Sequence, residues 1–210
     1  MTEPEARTTS ERLQAALTAG THPDPRQVEV LVQRCAVEPD FYVRDMLTWA
    51  LTRHDRSATV PLLLRELDSE IPQARSQALH TLSKIGDERA WQAITPTLLR
   101  DTDDEVARTA WRAAAGLVPE GGEPHLAETL ATQFARGDRE VRRSLSRAFA
   151  MLGAAAAPVV ERATTAPDPE VRAHAIATEQ IMQNPETGFE AALAEARRVV
   201  ALRGAPLVEG

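Results

Sequence analysis

The feature that most constrains this chain is a short phrase that returns five times, in which a capping residue leads within four positions to an apolar residue and then arginine. The copies read Asp40-Phe41-Tyr42-Val43-Arg44, Ile71-Pro72-Gln73-Ala74-Arg75, Asp103-Asp104-Glu105-Val106-Ala107, Asp138-Arg139-Glu140-Val141-Arg142 and Asp168-Pro169-Glu170-Val171-Arg172. Measured at the last residue of each copy, the steps are 31, 32, 35 and 30 residues. That is the period of stacked helical hairpins, each of which buries its apolar face only against its neighbours. The expected fold is therefore all-α: a right-handed α-solenoid of about five helical hairpins with capping helices at both ends.

Each Asp suits the N-cap of the helix it precedes, where its carboxylate accepts otherwise unpaired backbone N–H groups at the positive end of the helix dipole. From the apolar residue onward one stripe runs at helical spacing: Val43, Leu47, Leu51; Ala74, Ala78, Leu82, Ile85; Val106, Ala110, Ala114, Leu117; and Val141, Leu145, Phe149, Leu152. This stripe is the expected core, and alanine at its middle positions lets neighbouring helices approach. The pattern predicts first helices over 26–37, 57–67, 88–100, 122–136 and 155–165, and second helices over 40–53, 71–84, 104–117, 138–152 and 168–182. A short helix capped by Ser10 and ending near Gly20 precedes the stack. A last helix over 186–203, with Phe189, Leu193 and Ala196 on one stripe, closes it. The expected division is a lead over 1–9, a single domain over 10–203 and a tail over 204–210.

Composition agrees with all-α packing through small side chains, at 4% aromatic and 26% charged residues. No segment reaches the roughly 18 to 20 consecutive apolar residues that span a bilayer, and Met1 to Ser10 lacks a signal-peptide core. One cysteine, Cys35, forms no internal disulfide and agrees with a reducing compartment. The expectation is a cytoplasmic protein without a membrane partner. A net charge of −7, from 31 acidic and 24 basic residues, disfavours indiscriminate binding to nucleic acid but permits a local basic stripe.

The Asp/Pro-x-Val-Arg-x-x-Ala-x-x-Ala-Leu pattern, clearest at Asp138 to Phe149 and Asp168 to Ile176, resembles the HEAT repeat of the short bacterial kind also found in phycobilin lyases. The resemblance covers about residues 26–185. It implies that Asp40, Arg44, Arg75, Asp103, Asp138, Arg142, Asp168 and Arg172 are structural ladder residues, each arginine pairing with acidic side chains of a neighbouring unit. Copy three departs from the pattern, with Ala107 where arginine belongs. The segments Met46 to His54 and Ala74 to Asp87 also resemble actinobacterial HEAT-repeat proteins that occur alone or joined to MerR-like regulators, although no winged-helix segment is present in these 210 residues.

Positions one, five and nine residues after the repeat arginine avoid the core stripe, and in HEAT-like stacks they line the concave side. They read Asp45, Trp49, Arg53; Ser76, His80, Lys84; Arg108, Arg112; Arg143, Arg147; and Ala173, Ala177, Ile181. The basic members form an expected ridge of Arg53, Lys84, Arg108, Arg112, Arg143 and Arg147. Either it is a groove for an acidic protein segment or a phosphate backbone, or it is an ordinary solvated helix face. Trp49 is either a partner anchor at the lip of that surface or a residue partly buried against the preceding helix pair. Trp111 and Trp91 read as packing residues, and Phe41 and Tyr42 as a staple at a helix entry.

His22, His54, His80, His125 and His174 are dispersed without metal-ligand spacing, although His80 and His174 are both read as facing the groove. The run Asp101 to Glu105 lacks the glycine and distal glutamate of a calcium loop and reads as a helix cap. Cys35 shares a stripe with Val28, Leu31 and Val32, where a thiol is inert, and there is no Gly-x-Ser-x-Gly or phosphate loop. No metal and no cofactor are expected. The expected function is a non-enzymatic scaffold or regulatory module that binds a protein partner through the second-helix face. The alternative is a nucleic-acid-binding or repair protein like the HEAT-like glycosylases, with Asp45 and Trp49 in the groove. A lyase-like chromophore-attachment activity follows only from the wider repeat family. The sequence leaves the oligomeric state open.

Overall fold

In a computed structural model describing residues 8–184 and 188–203, the last two by backbone alone, every regular element is helical and no strand occurs among the described residues. The elements are α1 (Thr9–Thr21), α2 (Val28–Val37), α3 (Phe41–Arg53), α4 (Arg56–Glu66), α5 (Pro72–Ile85), α6 (Glu88–Ala93), α7 (Pro96–Leu99), α8 (Asp104–Leu117), α9 (Glu123–Ala131), α10 (Arg139–Leu152), α11 (Ala157–Ala163), α12 (Pro169–Gln183) and α13 (Phe189–Arg203). They pair as hairpins, with α2, α4, α6–α7, α9 and α11 as first helices and α3, α5, α8, α10 and α12 as second helices. Stacked hairpins of this kind are the α-solenoid architecture. The residues fall into two compact units, one through Ala113 and one from Ala114, the boundary lying inside α8.

Second-helix starts follow from capping. The Asp40 carboxylate accepts from the N–H groups of Tyr42 and Val43, Asp103 from Glu105 and Val106, Asp138 from Val141, and Asp168 from Glu170. Ile71 offers no side-chain cap; there Pro72 at the first helical position contributes a preset φ and needs no N–H partner. The stripe is core as read: Val43, Leu47, Leu51, Ala74, Ala78, Leu82, Ile85, Val106 and Ala110 are buried in the first unit. Ala114, Val141, Leu145, Phe149 and Leu152 are buried in the second, with Leu117 half-buried.

Three boundaries differ from expectation. The helix expected over 88–100 breaks into α6 and α7, because Pro96 holds Thr95 extended, and Thr95 then caps the new helix. The helix expected over 122–136 ends at Ala131 and gives way to turns that include Ala135 and Gly137 at positive φ, 65° each. The first cap is Thr8 rather than Ser10: the Thr8 hydroxyl accepts from the N–H of Glu11, and the Glu11 carboxylate accepts from the N–H of Thr8 at 2.7 Å. Residues 1–7 of the expected lead and the tail over 204–210 lie outside the described residues.

In the first unit α2 packs on its own second helix α3, on the next first helix α4 and on the next second helix α5, while α1 packs on α3 as α3 packs on α5. In the second unit α12 carries α13 across Ala173, Ile176, Ala177 and Ile181, which meet Phe189, Ala192, Leu193 and Ala196 in one apolar cluster. The expected closing stripe Phe189, Leu193 and Ala196 is thus buried.

Candidate binding surface

Two sets of side chains that share a repeat register have separate jobs. The ladder arginines bind the loop that enters their own helix. Arg44 donates to the carbonyls of Glu38 and Pro39, Arg75 to Ser69, Arg142 to Gly137, and Arg172 to Ala166 and Pro167. Arg75 also grips Asp101 of the next hairpin with two bonds, at 2.8 and 3.0 Å, and Arg142 reaches Glu170 at 2.7 Å. Arg75 and Arg142 thus meet a carboxylate of the next hairpin, whereas Arg44 and Arg172 find carbonyls instead. Asp101 lies six residues before the ladder position of its repeat, and the residue at the same place in the repeat that follows Arg44 is Ser69, which has no charge to offer. The four ladder aspartates act as caps.

The same comparison assigns α1. Arg12 grips Glu38, itself six before Arg44, at 2.9 and 3.0 Å in the two-bond manner of Arg75 and Asp101. Arg12 stands 32 residues before Arg44, as Thr8 stands 32 before Asp40. The first helix is therefore the second helix of a further repeat, more than a generic cap, and Glu38, at 3% exposure, is a fully paired buried carboxylate.

Between second helices buried hydroxyls meet in register. Thr48 lies 3.3 Å from Thr81 and Ser146 2.7 Å from Thr178, both pairs joining positions four and six after the ladder residue. Thr81 and Thr178 donate to the carbonyls of Gln77 and His174, so Thr48 and Ser146 donate to them. His174 is part of this layer and does not face a groove. It is fully buried, its Nδ1 accepts from the N–H of Ala135 at 3.1 Å, and its Nε2–H donates to the Arg142 carbonyl at 2.9 Å. Burial pushes its pKa down to about 4.

On the second-helix face of the first unit lie Asp45, Trp49 and Arg53 of α3, His80 and Lys84 of α5, and Arg108 and Arg112 of α8. Trp49 is 37% exposed, and its ring packs on α1, where a Cβ placed on Gly20 would come within 2.3 Å of it. One side of Trp49 is thus packed and the other faces solvent. Arg108 pairs with Glu105 one turn earlier at 2.6 Å, while its buried Nε has no partner. Arg53, Lys84 and Arg112 are exposed and form no ion pair among the described residues. Half-buried His80 lies near Arg112, Lys84 and Asp45, with its Nδ1 buried and unpartnered. Burial first, then Arg112 and Lys84, lower its pKa, against a smaller upward pull from Asp45. Arg112 is lowered too, by burial and then by Arg108.

The second unit keeps less of the expected face. Arg143 pairs with Glu140 at 3.8 Å and Arg147 is exposed without an ion pair among the described residues, but Ala173, Ala177 and Ile181 are covered by α13. The expected ridge is thus paired with glutamates of its own helices at Arg108 and Arg143, and without an ion pair among the described residues at Arg53, Lys84, Arg112 and Arg147, Glu105 acting on Arg112 from a distance. Sequence reasoning missed the exposure of Phe41 and Tyr42, 65% and 74%, which stand edge to face at the start of α3. The signal was their place at the first two helical positions, off the stripe.

Trp111 is fully buried and its Nε1–H donates to the Leu99 carbonyl at 2.7 Å. The Cys35 thiol is buried and pushed up to about 12 by that burial, which leaves it protonated and unreactive. No group of three or more metal-ligating side chains, and no helix long and apolar enough to cross a membrane, occurs among the described residues.

Residues 28–116 match the family model for HEAT repeats. No curated protein sequence matches the chain. Among solved structures, an engineered protein is similar over 85% of this chain and 98% of its own, at 20% identity and a TM-score of 0.45. The CpcE–CpcF complex of phycocyanin lyase from Nostoc sp. is similar over 95% of this chain and 77% of its own, at 22% identity and a TM-score of 0.44.

Proposed function

We propose that this chain is a non-enzymatic binding module that takes an acidic segment of a partner protein on the second-helix face of its first unit. The observation that carries the reading is the set of cations on adjacent second helices, Arg53, Lys84 and Arg112, exposed and without an ion pair among the described residues, of which Arg112 and Lys84 act on His80 against a smaller pull from Asp45. Trp49 offers an aromatic edge beside them, and aromatic and arginine side chains are the usual anchors of protein interfaces. HEAT repeats, which residues 28–116 match, supply such surfaces by stacking. In the second unit Arg147 is likewise exposed without an ion pair among the described residues.

An acidic ligand would stabilise the protonated His80 ring and raise its pKa on binding, so affinity should strengthen as pH falls through the imidazole range. The test is fluorescence anisotropy of a labelled glutamate-rich peptide and of a duplex DNA, each at low salt, with wild type and the Lys84→Glu, Arg112→Glu variant. The peptide should bind more tightly at pH 5.5 than at pH 8 and lose about tenfold or more in the variant. Binding of the duplex with no binding of the peptide would replace this reading with phosphate recognition, whose affinity falls steeply with salt.

A further inference from the structure

Because α1 is the second helix of a further repeat, the repeat geometry specifies what belongs beside it. In the following hairpin the first helix α2 rests on its own second helix, on the next first helix and on the next second helix. The corresponding place for the repeat of α1 is bounded by α1, α2 and α3. That place is an open groove of about 330 Å³, lined from all three helices. Its floor is apolar, with Leu31 and Leu47; Ala15 and Val30 form its walls, Val30 being 57% exposed; at its rim stand Arg26, already paired with Asp24 at 2.8 Å, and Arg34. Arg34 is exposed and forms no ion pair among the described residues.

We infer that this groove receives a short amphipathic helix of a partner protein, apolar toward Leu31 and Leu47 and acidic toward Arg34. The repeat register argues for a helix, since α2 fills the corresponding place in its own repeat with the buried residues Val28, Leu31, Val32 and Cys35, and the first helices α4 and α9 also bury apolar residues, Val60 and Leu63 in the one, Leu126, Ala127 and Leu130 in the other. Charge complementarity argues for acid on the occupant's outer side. Residues 1–7, Met-Thr-Glu-Pro-Glu-Ala-Arg, carry no pair of large apolar residues at helical spacing and do not match this description. The groove is separate from the basic face around His80, so either assignment can fail without the other.

The probe is a fluorescein-labelled peptide with the sequence of residues 122–132, which carries Leu126 and Leu130 on one face and Glu128 on the other. Titrated with the full chain, it should bind saturably. Val30→Glu should weaken binding about tenfold and Arg34→Glu about threefold. Val30 is exposed, so its substitution leaves the helices intact by circular dichroism. The Lys84→Glu, Arg112→Glu variant should bind the peptide as wild type does. Absence of saturable binding at millimolar concentration would overturn the inference. So would binding that appears only after residues 2–7 are deleted, which would make that segment the occupant. Concentration-dependent dimers abolished by Val30→Glu would assign the groove to a second copy and also overturn it.

Discussion

At His174 a neutral imidazole is built into the core of the second unit. Its ring accepts from Ala135, donates to Arg142 and stands edge to face with Phe134 and Phe189, centroids 5.1 and 6.0 Å away. In the unfolded chain such a ring takes up a proton near pH 6.5, whereas the buried ring resists until about pH 4. The unfolded state therefore binds more protons across that window, and stability falls as pH drops from about 6.5 to about 4, by up to about 3 kcal/mol. Above the window the penalty is absent. Urea unfolding at pH 7.5 and pH 4.5 should show this loss, and a His174→Gln variant should show less of it; equal acid sensitivity in the two proteins would count against the buried neutral ring. At Arg75 and Asp101 the two-bond pair also sets a loop, because Asp101 accepts from the N–H of Asp103. Arg75→Ala should cost about 3 kcal/mol, since Asp101 would remain largely buried without its cation. An unchanged melting temperature would remove the ladder from the list of stabilising features.

At the scale of helices, close approach depends on small residues. Gly20 lies under the Trp49 ring, and a Cβ there would also approach the Ala50 Cα to 2.9 Å. Gly20→Ala should displace Trp49, red-shift the tryptophan emission and loosen α1, whereas unchanged emission would contradict the packing of α1 on α3. Ala110, fully buried in α8, should tolerate leucine no better: Ala110→Leu overpacks the stripe and should lower stability by about 1 to 3 kcal/mol in a thermal melt. The second helices were legible because cap, stripe and arginine repeat together, and each signal confirms the others. The nature of α1 was harder to read. Thr8 replaces Asp and Leu13 follows Arg12 where the other copies place an apolar residue before the arginine, so only the 32-residue spacing and the Thr8-x-x-Glu11 capping box carried it. The covering of α12 also left a trace, since Ala173, Ala177 and Ile181 stand where earlier repeats place charged residues. The hydroxyl pairs left none, because isolated Ser and Thr on a helix read equally well as solvent-facing.

For the whole molecule, a net charge of −7 coexists with cations that lack partners on the second-helix face. The glutamates at 105 and 140 show why summing arginines overstates a ridge: each neutralises the arginine one turn later on its own helix. What remains around His80 in the first unit is smaller than the stripe read from spacing, but it is local, partly desolvated and beside a half-packed tryptophan. That concentration, rather than the number of basic residues, is the ground for assigning a protein-binding role. The most direct measurement is affinity capture from native lysate, with and without nuclease, comparing wild type with the Lys84→Glu, Arg112→Glu variant. The account predicts a protein retained after nuclease treatment and lost in the variant. Capture that the variant leaves intact, or that nuclease abolishes, would contradict it.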